Sequence, residues 1–122
     1  MENNHNPNVL EMLNRVEIRG RVGRCTVKTV GREDDKVANM SVVTNSYYKD
    51  RYNQQIVETM WWYVAAFEDK IEGGTPESID KGTAVHVVGR MRSRVYTDKD
   101  GNEKRMNEVV ASKVEILHGY EY

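Results

Sequence analysis

A chain of 122 residues, 39% hydrophobic and 30% charged with a net charge of −1, is sized for one folded domain with its own core. No apolar run approaches the roughly 18 residues of a membrane span. The start, Met1 to Asn8, lacks the basic opening and apolar stretch of a secretory signal. A single cysteine, Cys25, excludes an intrachain disulfide and agrees with a reducing cytoplasm.

Residues 1–13 read as a flexible N-terminal arm, 14–118 as the folded domain and 119–122 as a short end. A first strand is expected over about 14–24, with Val16, Ile18 and Val22 inward and Glu17, Arg19 and Arg21 outward. Gly20 and Gly23 interrupt it, as glycines do at a bulge or a sharp barrel bend. A second strand over about 36–44 alternates Val37, Asn39 and Ser41 with Ala38, Met40 and Val42. The polar stretch 45–54 reads as a loop carrying Tyr47, Tyr48, Lys49, Arg51 and Tyr52.

The third strand, about 56–67, holds the most informative run, Met60-Trp-Trp-Tyr-Val-Ala-Ala-Phe67. Successive side chains of a strand point to opposite faces, so Trp61, Tyr63, Ala65 and Phe67 share one face and Met60, Trp62, Val64 and Ala66 the other. Both are apolar, yet only one can rest on the core of a small domain. The other calls for a partner chain or a ligand with flat apolar surfaces, such as nucleobases. Thr75-Pro76-Glu77 is a helix start and Gly82 a stop, which predicts a helix of two turns. A fourth strand over about 83–97 puts Val85, Val87, Gly89, Met91, Ser93 and Val95 on one parity and Arg92, Arg94 and Tyr96 on the other. Asp100-Gly101 signals a hairpin into a fifth strand over about 104–117, where Val110, Val114 and Ile116 share a face. The fold class is therefore all-β. Five strands with one short helix between the third and fourth is the order of the OB-fold barrel, a recurrent binder of oligonucleotides and oligosaccharides.

The near-zero net charge hides a concentration of positive charge. Residues 14–36 carry seven basic side chains against four acids, and 89–105 carry six against three; together they hold 13 of the 18 basic residues. On alternating strand positions such clusters make an electropositive groove. Chemistry for catalysis is missing: Cys25 has no base at a motif spacing, His5, His86 and His118 are scattered, and neither a phosphate-cradling glycine motif nor a metal-ligand cluster occurs. The expectation is a protein that is not an enzyme and holds no cofactor or metal.

Three segments together resemble a bacterial single-stranded DNA-binding protein: Asn14-Arg-Val-Glu-Ile-Arg-Gly-Arg-Val-Gly23, Val37-Ala-Asn-Met-Ser-Val-Val-Thr44 and Gly89-Arg-Met-Arg-Ser-Arg-Val-Tyr-Thr-Asp98. The resemblance implies base stacking at Tyr48, Trp61, Phe67 and Tyr96, with Arg15, Arg51, Arg92 and Arg94 tracking phosphates. Tyr47, in the loop, is a further candidate contact, and Tyr52 could equally be solvated. Trp61 and Phe67 lie about 20 Å apart along a strand, which suits several bases in a groove. Stacking is worth about 1–3 kcal/mol per base and tolerates any sequence. Trp62 is expected in the core or a subunit contact.

The sequence also departs from that family. Trp62 and Tyr63 stand where it usually has a histidine, used between subunits, and an arginine. Tyr48 and Tyr96 replace tryptophans. The residues His118 to Tyr122 contain no glycine- and proline-rich tail with an acidic tip, the element that recruits replication and repair enzymes; this points to a specialised paralogue, for instance from a mobile element, or a truncated form. The resemblance thus implies a cytoplasmic protein binding and protecting single-stranded DNA without sequence preference in replication, recombination or repair. Its partners would be single-stranded DNA and further copies of itself, as a homotetramer or a dimer, with no membrane and with replication proteins as an open possibility. A primosome-type accessory protein that chiefly binds replication proteins is the alternative.

Overall fold

Alternation of branched apolar with polar residues carries the chain through six strands in the computed structural model, which describes residues 7–120. The first six residues of the expected arm, and Glu121 and Tyr122 of the expected end, lie outside the described residues. The strands are β1 (Val16–Val30), β2 (Asp35–Lys49), β3 (Gln55–Phe67), β4 (Ile71–Glu72), β5 (Ala84–Thr97) and β6 (Glu103–Leu117). Their order is β3-β2-β1-β5-β6-β4, antiparallel between the long neighbours. A parallel contact of β3 with β6, at Val64 opposite Val109 and Ala65 opposite Val110, closes five of them into a barrel. The two-residue β4 adds to β6 as an extra strand. The expected OB-type barrel is thus the observed architecture.

Inside lie Val22, Val42, Val64, Val85, Val87, Val109 and Val114, each essentially without solvent contact. Burying a side chain of this kind stabilises the fold by about 1.5–3 kcal/mol. Two bulges set which residues reach this core. In β1, Val22 faces Val42 but Arg24 faces Ser41, so Gly23 is the extra residue and the inward parity changes there. In β6, Lys113 faces Val88 but Ala111 faces Gly89, leaving Ser112 extra. That bulge corrects the reading of the fifth strand: Val114 and Ile116 do point inward, but Val109 and Ala111 join them instead of Val110.

Two further expectations change. The first half of the stretch 45–54 is strand, because β2 and β3 stay paired out to Lys49 opposite Gln55. Tyr47, Tyr48, Ile56 and Val57 favour extended pairing, so the pair projects as a long hairpin arm. Its turn is held by Asp50, whose Oδ1 accepts from the backbone N–H groups of Tyr52 and Gln54. The helix between the third and fourth long strands shrinks to two single 3-10 turns, Glu68–Lys70 and Pro76–Ser78. Ile79 must drop into the core and Gly82 N–H bonds the Val22 carbonyl at 2.7 Å, so the chain turns away before a second helical turn can form.

Candidate nucleic-acid interface

On the outer face, strand register lays three rows side by side. Arg24, Thr26 and Lys28 of β1 stand opposite Ser41, Asn39 and Val37 of β2, which stand opposite Tyr63, Ala65 and Phe67 of β3. Trp61, opposite Val43, lies over Gly23: a Cβ built there would meet two indole ring carbons at 2.6 and 2.9 Å. The bulge glycine is therefore the seat of the indole.

The result is an open groove of about 560 Å³, lined among others by Arg24, Lys28, Asn39, Ser41, Trp61, Tyr63, Arg94 and Glu108. A second depression shares Tyr63, Arg94 and Met106 with it and extends past Tyr96 to Arg105 and Asn107. The two form one channel running from β1 across β3 to the β5–β6 hairpin. Trp61 is 50% exposed and Tyr63 52%, far more than an aromatic in a core. Trp62 goes the other way: it packs against the core, and its indole N–H donates to Thr44 Oγ1 at 2.9 Å.

The expected contact residues are not all gathered in this channel. Trp61, Tyr96 and Arg94 are. Phe67, 47% exposed, lines a separate depression among Asp35, Lys36, Glu68, Asp69 and Lys70. Arg15 lies in another with Asn14, Lys70 and Arg90, its Nη2 3.5 Å from Glu17. Tyr47, Tyr48 and Arg51 belong to the projecting hairpin, where the Arg51 guanidinium sits 5.4 Å from the Tyr52 ring centre. Strand alternation puts Tyr47 on the side of Trp61, whereas Tyr48 shares the side of Met60 and Trp62.

Arg92 and Arg94 are engaged within the chain. Both bond one buried carboxylate oxygen, Glu108 Oε1, at 2.5 Å from Arg92 Nη2 and 2.8 Å from Arg94 Nε. A charge so enclosed is tolerable only because it is paired. Arg94 still lines the groove.

The sequence reading missed Tyr63, Arg24, Lys28, Arg105 and Glu108 as groove residues. Tyr63 shares the parity of Trp61 and was available on that ground. Counting outward from the Asp100-Gly101 tip puts Glu108 opposite Arg92, which was a signal for the pair. Arg24 and Lys28 reach the groove only through the bulge at Gly23, which carries no separate signal.

Other titratable groups lie away from the channel. The hydrogen bond from His86 Nε2, at 2.7 Å, holds the Glu17 carboxyl below its usual range, helped by Arg15. Burial, then the charge of Asp80, raises the Cys25 thiol, so it is not an activated nucleophile. Among the described residues no group of three or more His, Cys, Asp or Glu could hold a metal ion. No helix among them is long and apolar enough to cross a membrane.

Comparison with known proteins agrees with this geometry. Two proteins called single-stranded DNA-binding protein are similar to this chain. The one from Neisseria meningitidis serogroup A is 32% identical over 107 residues, covering 88% of this chain and 61% of the relative. The one from Rickettsia felis is 33% identical over 100 residues, covering 80% and 65%. The chain thus spans less than two-thirds of the length of these curated relatives. Among solved structures, a Plasmodium falciparum SSB complex with ssDNA superposes with a TM-score of 0.72 at 25% identity, over 89% of this chain and 98% of that one. A deletion mutant of the single-stranded DNA binding protein from Thermus aquaticus, 20% identical with a TM-score of 0.70 over 88% of this chain and 51% of that one, shares the fold. The model of the single-strand binding protein family matches residues 13–117, and the chain belongs to that family.

Proposed function

We propose that this protein binds and protects single-stranded DNA, in a sequence-tolerant way, by stacking bases on exposed rings while cations neutralise the backbone. The observation that carries this reading is the groove itself. Trp61 and Tyr63 stand half-exposed beside Arg24, Lys28 and Arg94, and the channel continues to Tyr96 and Arg105. Each base stacked contributes about 1–3 kcal/mol whatever its identity. Phe67, Arg15, Tyr47, Tyr48 and Arg51 lie along the surface outside this channel, and we read them as contacts of a strand that continues beyond it. The names of the relatives support the binding of single-stranded DNA, and we extend the reading to a role in replication, recombination or repair in the cytoplasm. The apolar side chains exposed at Leu10, Met12, Leu13 and Met60 support assembly with further copies, a tetramer first and a dimer second.

The test is quenching of tryptophan fluorescence by a mixed-sequence single strand and by the matching duplex, at two salt concentrations. Quenching should be stronger with the single strand. Its affinity should fall with salt at a log–log slope of about −0.7 per neutralised phosphate, or roughly −3 if Arg24, Lys28, Arg94 and Arg105 each meet one. Equal response to duplex and single strand, or none to either, would remove the reading.

A further inference from the structure

We propose that Met106 is an oxidation site through which a peroxide weakens the hold on single strands: its thioether, set in the channel beside Arg94, becomes a sulfoxide that captures that arginine. The inference rests on the single-strand reading above and adds a means of regulating it.

Met106 stands opposite Arg94 where β5 pairs with β6, and its side chain lines both depressions of the channel. It is half-buried, and it shares the second depression with Tyr63 and Tyr96. No other methionine among the described residues combines access with this place. Met40 lines the groove but is 3% exposed, and Met91 packs against the core. Met12 and Met60 are open to solvent but line neither depression.

Arg94 is the group through which the change acts. Its Nε donates to Glu108 Oε1 at 2.8 Å, and its Nη2 donates to the Met106 sulfur at 3.8 Å. A thioether is a weak acceptor, so a phosphate oxygen readily displaces it from Nη2. Oxidation alters that balance. Hydrogen peroxide transfers one oxygen atom to the sulfur: the O–O bond breaks, an S–O bond forms, the sulfur is oxidised by two electrons and the peroxide leaves as water. The new oxygen is a strong acceptor, carried on the sulfur that Nη2 already faces. With Nε on Glu108 and Nη2 on the sulfoxide, Arg94 has less to offer a phosphate. The same step turns a flexible apolar surface beside Tyr63 and Tyr96 into a polar one, which suits the face of a base poorly. Methionine sulfoxide is reduced back by dedicated reductases, so the loss is reversible.

The experiment treats the wild-type protein and a Met106→Leu variant, which keeps the side-chain volume, with hydrogen peroxide. Peptide mass mapping follows each methionine, and anisotropy of a labelled mixed-sequence strand reads affinity before and after. Full conversion of Met106 should weaken wild-type binding about fivefold, the effect of losing one polar contact. Met106→Leu, judged against its own untreated affinity, should change by less than about twofold. A saturating strand should also slow oxidation of Met106 relative to Met12. Wild-type affinity that is unchanged after full conversion of Met106 overturns the proposal. So does an equal loss in Met106→Leu, which would place the effect at Cys25 or another methionine, and so does a strand that leaves the rate at Met106 unaltered. If Met106→Leu does not fold, the wild type decides alone: its affinity must fall along the time course of Met106, and a fall that follows Met12 instead overturns the proposal. An untreated wild type that binds no strand removes the single-strand reading itself, and the switch with it.

Discussion

Two glycines of β1, three residues apart, should respond to the same substitution in opposite ways. At Gly20 an added Cβ would lie 2.2 Å from the Val43 backbone carbonyl oxygen, more than 1 Å inside ordinary contact. Only the β1 or β2 backbone can yield there, in the middle of the sheet. At Gly23 the added Cβ meets the outer edge of the Trp61 indole, at 2.6 and 2.9 Å, and the Ser41 hydroxyl at 3.1 Å; the half-exposed ring can swing away and the hydroxyl can rotate. Neither glycine has a positive φ, so alanine itself strains neither backbone. Gly20→Ala should therefore cost about 2–4 kcal/mol, at or above the usual overpacking range. For a domain of this size that lowers Tm by about 6–15 °C. Gly23→Ala should change Tm by no more than about 3 °C, since the smaller clash is offset by the reduced freedom of the unfolded chain, worth about 0.4–1 kcal/mol. Its effect falls on binding: with the indole displaced, most of one stacking contact of about 1–3 kcal/mol is lost, which weakens single-strand affinity by about 5- to 100-fold. Thermal unfolding by circular dichroism and fluorescence anisotropy of a labelled strand measure the two effects. A Gly23→Ala protein that melts as low as Gly20→Ala, with unchanged affinity, would refute the role of Gly23 as the seat of Trp61.

Other expectations are simpler. Trp61→Ala should weaken single-strand binding by anisotropy while sedimentation shows the oligomer unchanged; dissociation into smaller species would place the ring in a subunit contact instead. Val109→Ala removes two buried methyl groups where β3 meets β6, at about 0.8 kcal/mol each plus a cavity cost, so a loss of about 2–3 kcal/mol and a Tm lower by about 6–12 °C are expected. Arg24→Ala and Lys28→Ala should each make the salt slope shallower by about 0.7, with little effect on Tm; a slope that stays as steep means these cations meet no phosphate. The Lys36–Glu77 pair, 2.5 Å apart, bears on pH. Glu77 is held below the ordinary carboxylate range, mainly by the Lys36 hydrogen bond, and Lys36 above the ordinary amine range, mainly by Glu77. The Glu77 contribution is therefore present above the unfolded value of about 4.3 and fades as pH falls through the lowered folded one. The Lys36 contribution is complete below about 10.4 and fades as pH rises through the raised folded one. The Tm gap between wild type and Lys36→Met should be flat near neutrality and narrow at both extremes; a gap widest below pH 4 would contradict this.

Much of this protein was legible from local pattern, because a strand needs only alternation and a tight turn needs only its own residues. The inward Val64 and Ala66 beside the outward Trp61 and Tyr63 follow from a period of two and nothing else. The Asp100-Gly101 turn likewise carried its hairpin. The helix failed because its start signals, Thr75 and Pro76, say nothing of the pull on Ile79 and Gly82 from the core and from β1.

The site divides in the same way. The sequence by itself determined that one face of the third strand would present rings that its own core could not cover. Only the tertiary structure decided what stands beside those rings. The bulges at Gly23 and Ser112 each shift a strand by one residue, and pairing partners far along the chain determine where such a shift occurs. The first swings Arg24 and Lys28 into the groove. Closure of β3 onto β6 then brings Glu108, with its two arginines, to the same groove as Trp61. Contacts between residues more than forty positions apart leave no trace in local alternation; they exist because a sheet curled into a barrel must meet its own far edge.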